Sequence, residues 1–318
     1  MLKRQLKRAR LTSFFANLPA CVVGMEACGS AHHWARTLSA LGHEVKLRAP
    51  QFVKPYVKTN KNDAADAEAL CEAVARPTMR FVAVKNIEQQ AVLSLHRAHQ
   101  GFVKARTAQA NQIRGLLGEY GLVIPQRIIH VTKRLVGILE DAENELPAVF
   151  RELLYRQGEH IKELDRQVVQ LEEQIVRWHR ASPASKRLAQ IPGIGPITAS
   201  ALVATIGNAL QFKNARQLAA WVGLVPRQHS TGGKPMLLGI SKRGDAYLRT
   251  LLTHGARSVV RVTEGKTDGV HRWLAQLVGR RHKNVAAVAL ANKNARTVWA
   301  LLRKGEDYQS GYQRSVAG

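Results

Sequence analysis

A serine and a threonine lie beside a glycine turn in the stretch RQHSTGGKPMLLGISKRGD, residues 227–245. Basic side chains flank the Ser230-Thr231 pair in sequence, namely Arg227, His229, Lys234, Lys242 and Arg243. A serine can attack a phosphodiester when cations stabilise the charge on the phosphoryl oxygens and a nearby group takes the proton. The stretch therefore predicts a phosphate site. Ser230 is then either a nucleophile, with His229 or a metal-bound species as base, or a turn residue beside cations that only bind phosphate.

The same stretch does not fit a nucleotide-binding P-loop. That motif needs a glycine, four intervening residues, and then Gly-Lys-Ser/Thr. Counted back from Gly233-Lys234, the first glycine would have to be at position 228, which is Gln228. Pro235 follows the lysine and supplies no hydroxyl for a metal ion. A phosphodiester of a nucleic acid is therefore favoured over a nucleotide.

The charge distribution indicates the same partner. The 318-residue chain carries a net charge of +25. Residues 185–318 contain 21 Lys and Arg against 5 Asp and Glu, whereas residues 1–184 contain 27 against 18. Such an imbalance is typical of proteins that bind a polyanion, most often a nucleic acid. The simpler alternative is a cationic surface that only keeps the protein in solution.

Three carboxylates in the N-terminal part could hold a divalent metal. Glu26 follows the apolar run ACVVGM, and Asp63 and Asp66 lie three residues apart at the start of a predicted helix, on one face. Neighbouring carboxylates repel unless a cation lies between them, and Mg²⁺ prefers such oxygen ligands. The alternative is that both aspartates only favour a helix start.

A second glycine-rich turn occurs in LAQIPGIGPITASALVATIG, residues 188–207. An apolar helix end, a Pro-Gly-Ile-Gly turn and a second helix form the pattern of a helix-hairpin-helix. The backbone at Gly193 and Gly195 can approach a phosphate closely at the helix N-terminus, which would position DNA without reading its sequence. The alternative is a tight turn between two packed helices.

The surrounding pattern predicts the elements that position these residues. The first part reads as an α/β unit with strands over 20–29 and 44–50 and helices over 30–43 and 58–76, the last capped by Asn60 or Asn62. Long helices follow over 87–120 and 147–180, with a break at Pro125 and a linker at 181–185. The predicted division is an N-terminal metal domain (1–85), a helical coiled-coil stalk (86–184) and a mainly α, basic domain (185–318).

The second long helix carries an apolar seam at spacings of three and four, formed by Ile161, Leu164, Val168, Leu171, Ile175 and Trp178. This seam predicts either an antiparallel hairpin or a dimer contact. The three cysteines form no C-x-x-C pair, and no apolar run reaches the 18 or so residues that a membrane span needs. A reducing cytoplasm without membrane contact is the expectation.

Several long stretches together resemble one protein family. The chain is similar to transposases of the insertion-sequence 110 family, 1111 subgroup, in VGMEACGSAHHWAR, KPYVKTNKNDAADAEAL, IPGIGPITASAL and WVGLVPRQHSTGGKPMLLGISKRGDAYLRTLL. The resemblance covers essentially the whole chain, and the motifs agree in order.

The resemblance implies a RuvC-like, RNase-H-fold N-terminal domain with a DEDD metal site, and a C-terminal domain with a nucleophilic serine. It assigns Glu26, Asp63 and Asp66 as Mg²⁺ ligands and Ser230 as the nucleophile. Arg227, Lys234, Lys242 and Arg243 would then bind DNA. The resemblance also implies dimers or tetramers, a structured non-coding guide RNA, and an active site that joins the carboxylates of one protomer to the serine of another.

One departure from the family pattern concerns the first aspartate of the DEDD set. No aspartate precedes Asp63 in this chain. We therefore expect the sheet to lack its first strand and the metal site to be one carboxylate short. Three functions remain in view, namely a serine recombinase aided by metal, a RuvC-type nuclease that uses water, and a nucleic-acid-binding fragment without catalysis.

Overall fold

A computed structural model describes residues 4–57, 62–76, 79 and 81–310. The chain divides into two compact units, the first formed by residues 1–90 with 206–211 and the second by residues 91–205 with 212–318. The second unit contains both the predicted stalk and the predicted basic domain, and a division at residue 185 stays a prediction. Asn60 and residues 311–318 lie outside the described part of the chain.

The first unit is an α/β arrangement. Its elements are α1 (Leu11–Ala16), β1 (Val22–Glu26), α2 (Ala31–Ala40), β2 (Glu44–Arg48), α3 (Pro50–Val53) and α4 (Asp63–Ala75). Strands β1 and β2 pair in parallel, with Val22 opposite Glu44 and Glu26 opposite Arg48. Helix α2 connects them, because a parallel pair needs a crossover. The predicted strand–helix–strand unit is confirmed.

Local signals explain where these helices begin and end. Gly42, at φ +91°, lies just beyond the end of α2 in a conformation that glycine adopts at low cost. The side chain of Asn62 accepts a hydrogen bond of 2.8 Å from the backbone N–H of Ala65, which caps α4 as predicted.

Small residues bring both helices close to the sheet. Ala31 and Ala35 of α2 are buried against Leu47 of β2. A Cβ on Gly24 of β1 would lie 2.7 Å from Cγ2 of Val74 in α4. In the described residues this sheet has two strands, extended by one antiparallel bridge between Leu47 and Val82. The α/β character is thus observed, whereas a RuvC-like fold stays a prediction.

The second unit is mainly helical. Helix α5 (Ile87–Gly118) begins in the first unit and continues into the second, which also contains α6 (Ile128–Glu140), α7 (Ala148–Ala181), α8 (Pro183–Leu188), α9 (Pro196–Ile206), α10 (Ala215–Val222), β3 (Pro226–Gln228), β4 (Leu237–Ile240), α11 (Ala246–Arg261), α12 (Gly269–Val278) and α13 (Lys283–Lys304). Helix α6 was not predicted. The predicted linker at 181–185 contains the break between α7 and α8, where Ser182 caps α8 and Pro183 occupies its first turn. Its role as a linker between two domains stays a prediction.

Helices α5 and α7 run antiparallel. His99 Nε2 lies 2.9 Å from Glu172 Oε1, and Arg106 forms an ion pair with Asp165. Residue numbers therefore rise along one helix as they fall along the other. Every predicted seam residue of α7 from Ile161 to Ile175 is buried, but His179 takes the last buried position in place of Trp178. The antiparallel hairpin is confirmed within the chain, and a coiled coil between chains stays a prediction.

Candidate functional site

Ser230 lies on a short β-hairpin of the second unit. Strands β3 and β4 pair antiparallel, and the backbone N–H of Lys234 donates to the carbonyl of Thr231 at 3.1 Å. The two residues between them, Gly232 and Gly233, have φ of 56° and 75°. Two consecutive positive φ values are those of a type I′ turn, whose twist matches that of the strands it joins. The glycine pair therefore suits this turn.

The hydroxyl of Ser230 takes part in holding this hairpin together. Its Oγ accepts hydrogen bonds from Gln228 Nε2 at 2.8 Å and from the backbone N–H of Met236 at 3.2 Å. The turn role considered for Ser230 is thus observed. The residue is also exposed, so its O–H can still donate to a base or meet a ligand.

The alternation of side chains along the hairpin bears on His229 as the base. In an extended strand successive side chains point to opposite faces. Gln228 and Ser230 share one face, as their hydrogen bond shows. His229 therefore lies on the opposite face from the hydroxyl. This geometry does not favour His229 as the base within the same chain.

Four cations predicted to bind phosphate lie on the hairpin or in the segment that follows it, namely Arg227, Lys234, Lys242 and Arg243. All four are exposed, and in the described part of the chain none forms a salt bridge. Asp245, the acid that follows them, instead caps α11 by accepting from the N–H of Leu248 at 2.9 Å. The positive charge is therefore not neutralised by a described acid of the second unit.

Close backbone packing fixes the base of the hairpin. Gly223, at φ +82°, ends α10, and a Cβ there would lie 2.3 Å from the carbonyl oxygen of Arg243. A Cβ on Gly244 would lie 1.8 Å from the carbonyl oxygen of Trp221. The segment that carries Lys242 and Arg243 is thus held directly against the end of α10, which positions both cations.

The two glycines of the Pro-Gly-Ile-Gly turn have different surroundings. Gly193, at φ +85°, packs against α11, where a Cβ on it would lie 2.8 Å from the carbonyl oxygen of Gly255. Gly195 is exposed just before α9, and a Cβ on it would meet no described atom within 4 Å. The close approach at Gly193 thus serves packing inside the unit. Phosphate binding at both glycines, and at Gly195 in particular, stays a prediction.

Each of the three proposed metal ligands lies on the element predicted for it. Glu26 is the last residue of β1, and Asp63 and Asp66 lie in the first turn of α4. Within the residues that the structure describes, however, no three His, Cys, Asp or Glu side chains form a group able to hold a metal ion. The described residues thus form no three-ligand group, although Mg²⁺ is also held in proteins by one or two carboxylates together with water.

The described contact of α4 with β1 lies beyond the first turn of the helix. A Cβ on Gly24 would meet Leu70 and Val74. These residues lie four and eight positions beyond Asp66, which corresponds to about 6 and 12 Å along the helix axis.

Two further observations concern membrane spans and cysteines. No helix among the described residues has both the length and the apolarity needed to cross a membrane. Cys21, Cys28 and Cys71 are free thiols, and all three are exposed.

Comparison with known proteins decides the family. A family model described as "Transposase IS116/IS110/IS902 family" matches residues 185–271, and an IS110 DEDD transposase model matches residues 4–122. A "Probable family 20 transposase" of Pseudomonas aeruginosa is 56% identical over 97% of this chain and 92% of its own length. The chain belongs to the IS110 family of transposases.

Two insertion-sequence transposases are also similar along nearly the whole chain. The transposase of IS1111A from Coxiella burnetii is 45% identical over 97% of this chain and 85% of its own length. The transposase of IS1328 from Yersinia enterocolitica is 44% identical over 96% of this chain and 90% of its own length. The matched ranges of this transposase contain Ser230 in one family model and all three acids in the other.

Proposed function

We propose that this transposase cuts and rejoins DNA through Ser230. The observation that carries the proposal is the exposed hydroxyl on a glycine-turned hairpin, with four exposed cations that no carboxylate pairs with in the described part of the chain. Cations placed around a hydroxyl both attract a phosphodiester and stabilise the charge that builds up on it. Membership of a transposase family gives DNA as the substrate.

The proposed step exchanges one phosphate ester for another. Ser230 Oγ forms a bond to phosphorus as the bond from phosphorus to one strand end breaks. The serine proton passes to a base, and the released strand oxygen takes up a proton. Because one phosphodiester replaces another, a strand hydroxyl can reverse the step and rejoin DNA without ATP.

The two hydrogen bonds to Ser230 are compatible with this attack. Both use lone pairs of Oγ, and the electron pair that attacks phosphorus is the one left on the oxygen when the O–H proton passes to the base. The bonds from Gln228 and from the Met236 N–H can therefore stay in place and orient Oγ.

Glu26, Asp63 and Asp66 are proposed as ligands of a divalent metal, with Mg²⁺ as the ion. The support is the match of residues 4–122 to a DEDD transposase domain. A bound Mg²⁺ would supply charge neutralisation at a phosphate. Because the three acids form no group in the described chain, no step is assigned to the ion. Calorimetric titration with Mg²⁺, compared between the wild type and Asp63→Asn, tests the assignment.

Three further properties are proposed on the family resemblance alone. They are a structured guide RNA, assembly as a dimer or tetramer, and a site that combines the acids of one protomer with Ser230 of another. Sequencing of co-purified RNA tests the first. Light scattering with and without that RNA tests the second, and mixing Asp63→Asn with Ser230→Ala protein to restore activity tests the third.

The central experiment traps a covalent protein–DNA adduct on a substrate carrying the element's end. Wild-type protein is expected to form the adduct, and Ser230→Ala is expected to form none. Thr231→Ala and Gln228→Ala are the matched controls, because the first removes the neighbouring hydroxyl and the second removes one hydrogen bond to Ser230. An adduct that persists in Ser230→Ala, or one lost equally in Thr231→Ala, would overturn the nucleophile assignment.

Nucleic-acid binding without cleavage is the competing function, and the lack of a three-acid group among the described residues favours it. It predicts salt-sensitive binding and no cleavage with any divalent metal. A water-using nuclease predicts a third pattern, in which Ser230→Ala cuts normally and Asp63→Ala does not.

A further inference from the structure

The face of α13 that is not packed into the second unit carries only positive charge. The helix contains five Lys and Arg and no Asp or Glu. Lys293, Arg296 and Arg303 are exposed, and at 100° per residue they fall within an arc of about 80°. They extend over about 15 Å of the helix axis, which matches the rise of about four base pairs of duplex DNA. We call these three residues the α13 stripe.

No carboxylate neutralises the α13 stripe within the described residues. The nearby acid Glu306 pairs with Lys304 at 3.5 Å, and no salt bridge of the described chain engages a stripe residue. The helix N-terminus at Lys283 likewise has no acid in its first turn. Like charges along one exposed face repel each other weakly in water, and a bound polyanion removes this repulsion, so the surface favours a polyanionic partner.

Two of the three stripe residues, Lys293 and Arg303, each contact a tryptophan ring. Lys293 Nζ lies 4.9 Å from the ring centre of Trp273, and Arg303 Cζ lies 5.6 Å from that of Trp299. The indole N–H of Trp299 donates to the carbonyl of Phe212 at 3.1 Å, which fixes that ring. Each cation therefore covers an aromatic face on which an unpaired base would otherwise stack. This arrangement favours contact with a phosphate backbone over single-stranded bases.

The stripe begins beside the element that carries Ser230. Asn292, next to Lys293, donates its side-chain amide to the carbonyl of Leu224 at 3.1 Å. Leu224 lies two residues before β3, at the base of the hairpin. One helix thus connects the stripe directly to the strand that leads to the hydroxyl.

We propose that the α13 stripe binds the backbone of duplex DNA and guides the duplex towards the Ser230 hairpin. The proposal rests on the proposed function, since it assigns the path of the DNA that Ser230 would cut. Contacts from Lys293, Arg296 and Arg303 to phosphates would position the duplex without reading its sequence. The stripe is separate from the four cations of the hairpin and adds affinity to them.

The test is equilibrium binding of full-length protein to a duplex of arbitrary sequence between about 50 and 200 mM salt. The triple variant Lys293→Ala, Arg296→Ala, Arg303→Ala is expected to bind more weakly. The slope of log K against log salt should fall by about one unit for each side chain, about three in total. Indole fluorescence should change at the same time, because two rings lose their cations.

A matched control removes the same charges elsewhere. Arg156, Lys162 and Arg166 of α7 are also one lysine and two arginines, but each already pairs with a glutamate of its own helix. Their triple alanine variant should keep the wild-type slope. Circular dichroism and thermal melting of both triple variants check that α13 and α7 stay folded.

Each outcome decides the proposal. An unchanged slope in the stripe variant, or an equal fall in the α7 control, would overturn it. A slope that falls on an RNA hairpin but not on duplex DNA would show that the partner is wrong. If the slope of the stripe variant is unchanged and the wild type still forms the Ser230 adduct, the stripe proposal is wrong but the proposed function is unaffected. If Ser230→Ala keeps both the adduct and the slope of the wild type, only the nucleophile is wrong.

Discussion

The Nε2 atom of His96 lies 3.1 Å from the Oγ atom of Ser200 in the interior of the second unit. Nδ1 of the same ring lies 3.0 Å from Tyr247 Oη, and Ser200 donates to the carbonyl of Pro196 at 2.7 Å. These contacts are satisfied when His96 is neutral, carries its proton on Nε2 and accepts from the tyrosine. The network connects α5, α9 and α11.

This network predicts a loss of stability in mild acid. Burial, and secondarily the charge of His99, lowers the pKa of His96 to about 4, whereas an exposed histidine titrates near 6.5. Between these values the unfolded chain takes up a proton that the folded chain does not. The contribution of neutral His96 to the free energy of unfolding should therefore be fully present near pH 7. It should fall by roughly 3 kcal/mol as the pH drops to 4.

Chemical denaturation at pH 7, 6 and 5 measures this effect. His96→Gln should be less stable at pH 7 but show a smaller pH slope. His160→Gln is the control, since His160 is exposed on α7 and should keep the wild-type slope. An undiminished slope in His96→Gln would rule out this residue as the source.

The contact between Gly193 and Gly255 predicts a strong effect of one methyl group. A Cβ on Gly255 would lie 1.8 Å from the carbonyl oxygen of Gly193, so Gly255→Ala must move α11 away from the turn before α9. We expect a loss of about 3 kcal/mol or more in the free energy of unfolding. Gly115→Ala is the control, because a Cβ there would meet no described atom within 4 Å and the change should stabilise α5 by about 0.5–1 kcal/mol. Similar stability of the two variants would contradict the packing.

A change in the hairpin turn should lower the rate of adduct formation without changing the thermal stability of the whole chain. Gly233→Ala places a Cβ at φ 75°, which costs about 1–2 kcal/mol in the turn. The rate of adduct formation should fall, while the thermal midpoint stays unchanged because the hairpin is exposed. Gly232→Asn should retain activity, since Asn-Gly suits a type I′ turn. Equal adduct rates for Gly233→Ala and the wild type would show that the turn geometry is not needed.

The hydrogen bond from Asn294 to the turn before α9 should contribute to the free energy of unfolding. Its buried amide donates to the carbonyl of Pro192 at 2.8 Å. Asn294→Leu keeps the branched shape of the side chain but leaves this carbonyl without its donor, and should lower the free energy of unfolding by about 1–3 kcal/mol. Asn284→Leu, at an exposed position of the same helix, should change it by less than about 0.5 kcal/mol. Urea denaturation of both variants provides the comparison.

The sequence predicted those elements whose signals are local. Asn62 and Gly42 mark helix ends by their own chemistry, so α2 and α4 were placed within a few residues. Helix α6 was missed because its apolar face, with Val131 and Leu135, acquires a partner only when α5 and α7 pack against it. That partner lies far away in sequence.

The same contrast between local and long-range signals applies to the candidate site. The glycine pair and the hydroxyl could be identified from adjacent residues, although the hairpin itself was not predicted. Whether Glu26 meets Asp63 and Asp66 depends on where α4 packs along β1, which the spacing of the three acids does not determine. The α13 stripe was likewise missed, because Lys293, Arg296 and Arg303 share a face only once the helix is known.

The absence of acids from α13 also affects the stability of the protein away from its substrate. Like charges along one helix raise the free energy of the folded state, and a polyanion that binds only this state removes the repulsion. The melting temperature of the free protein should therefore rise on addition of duplex DNA, more steeply at low salt. Such a transposase is least stable when it is free and most stable when it is bound to DNA.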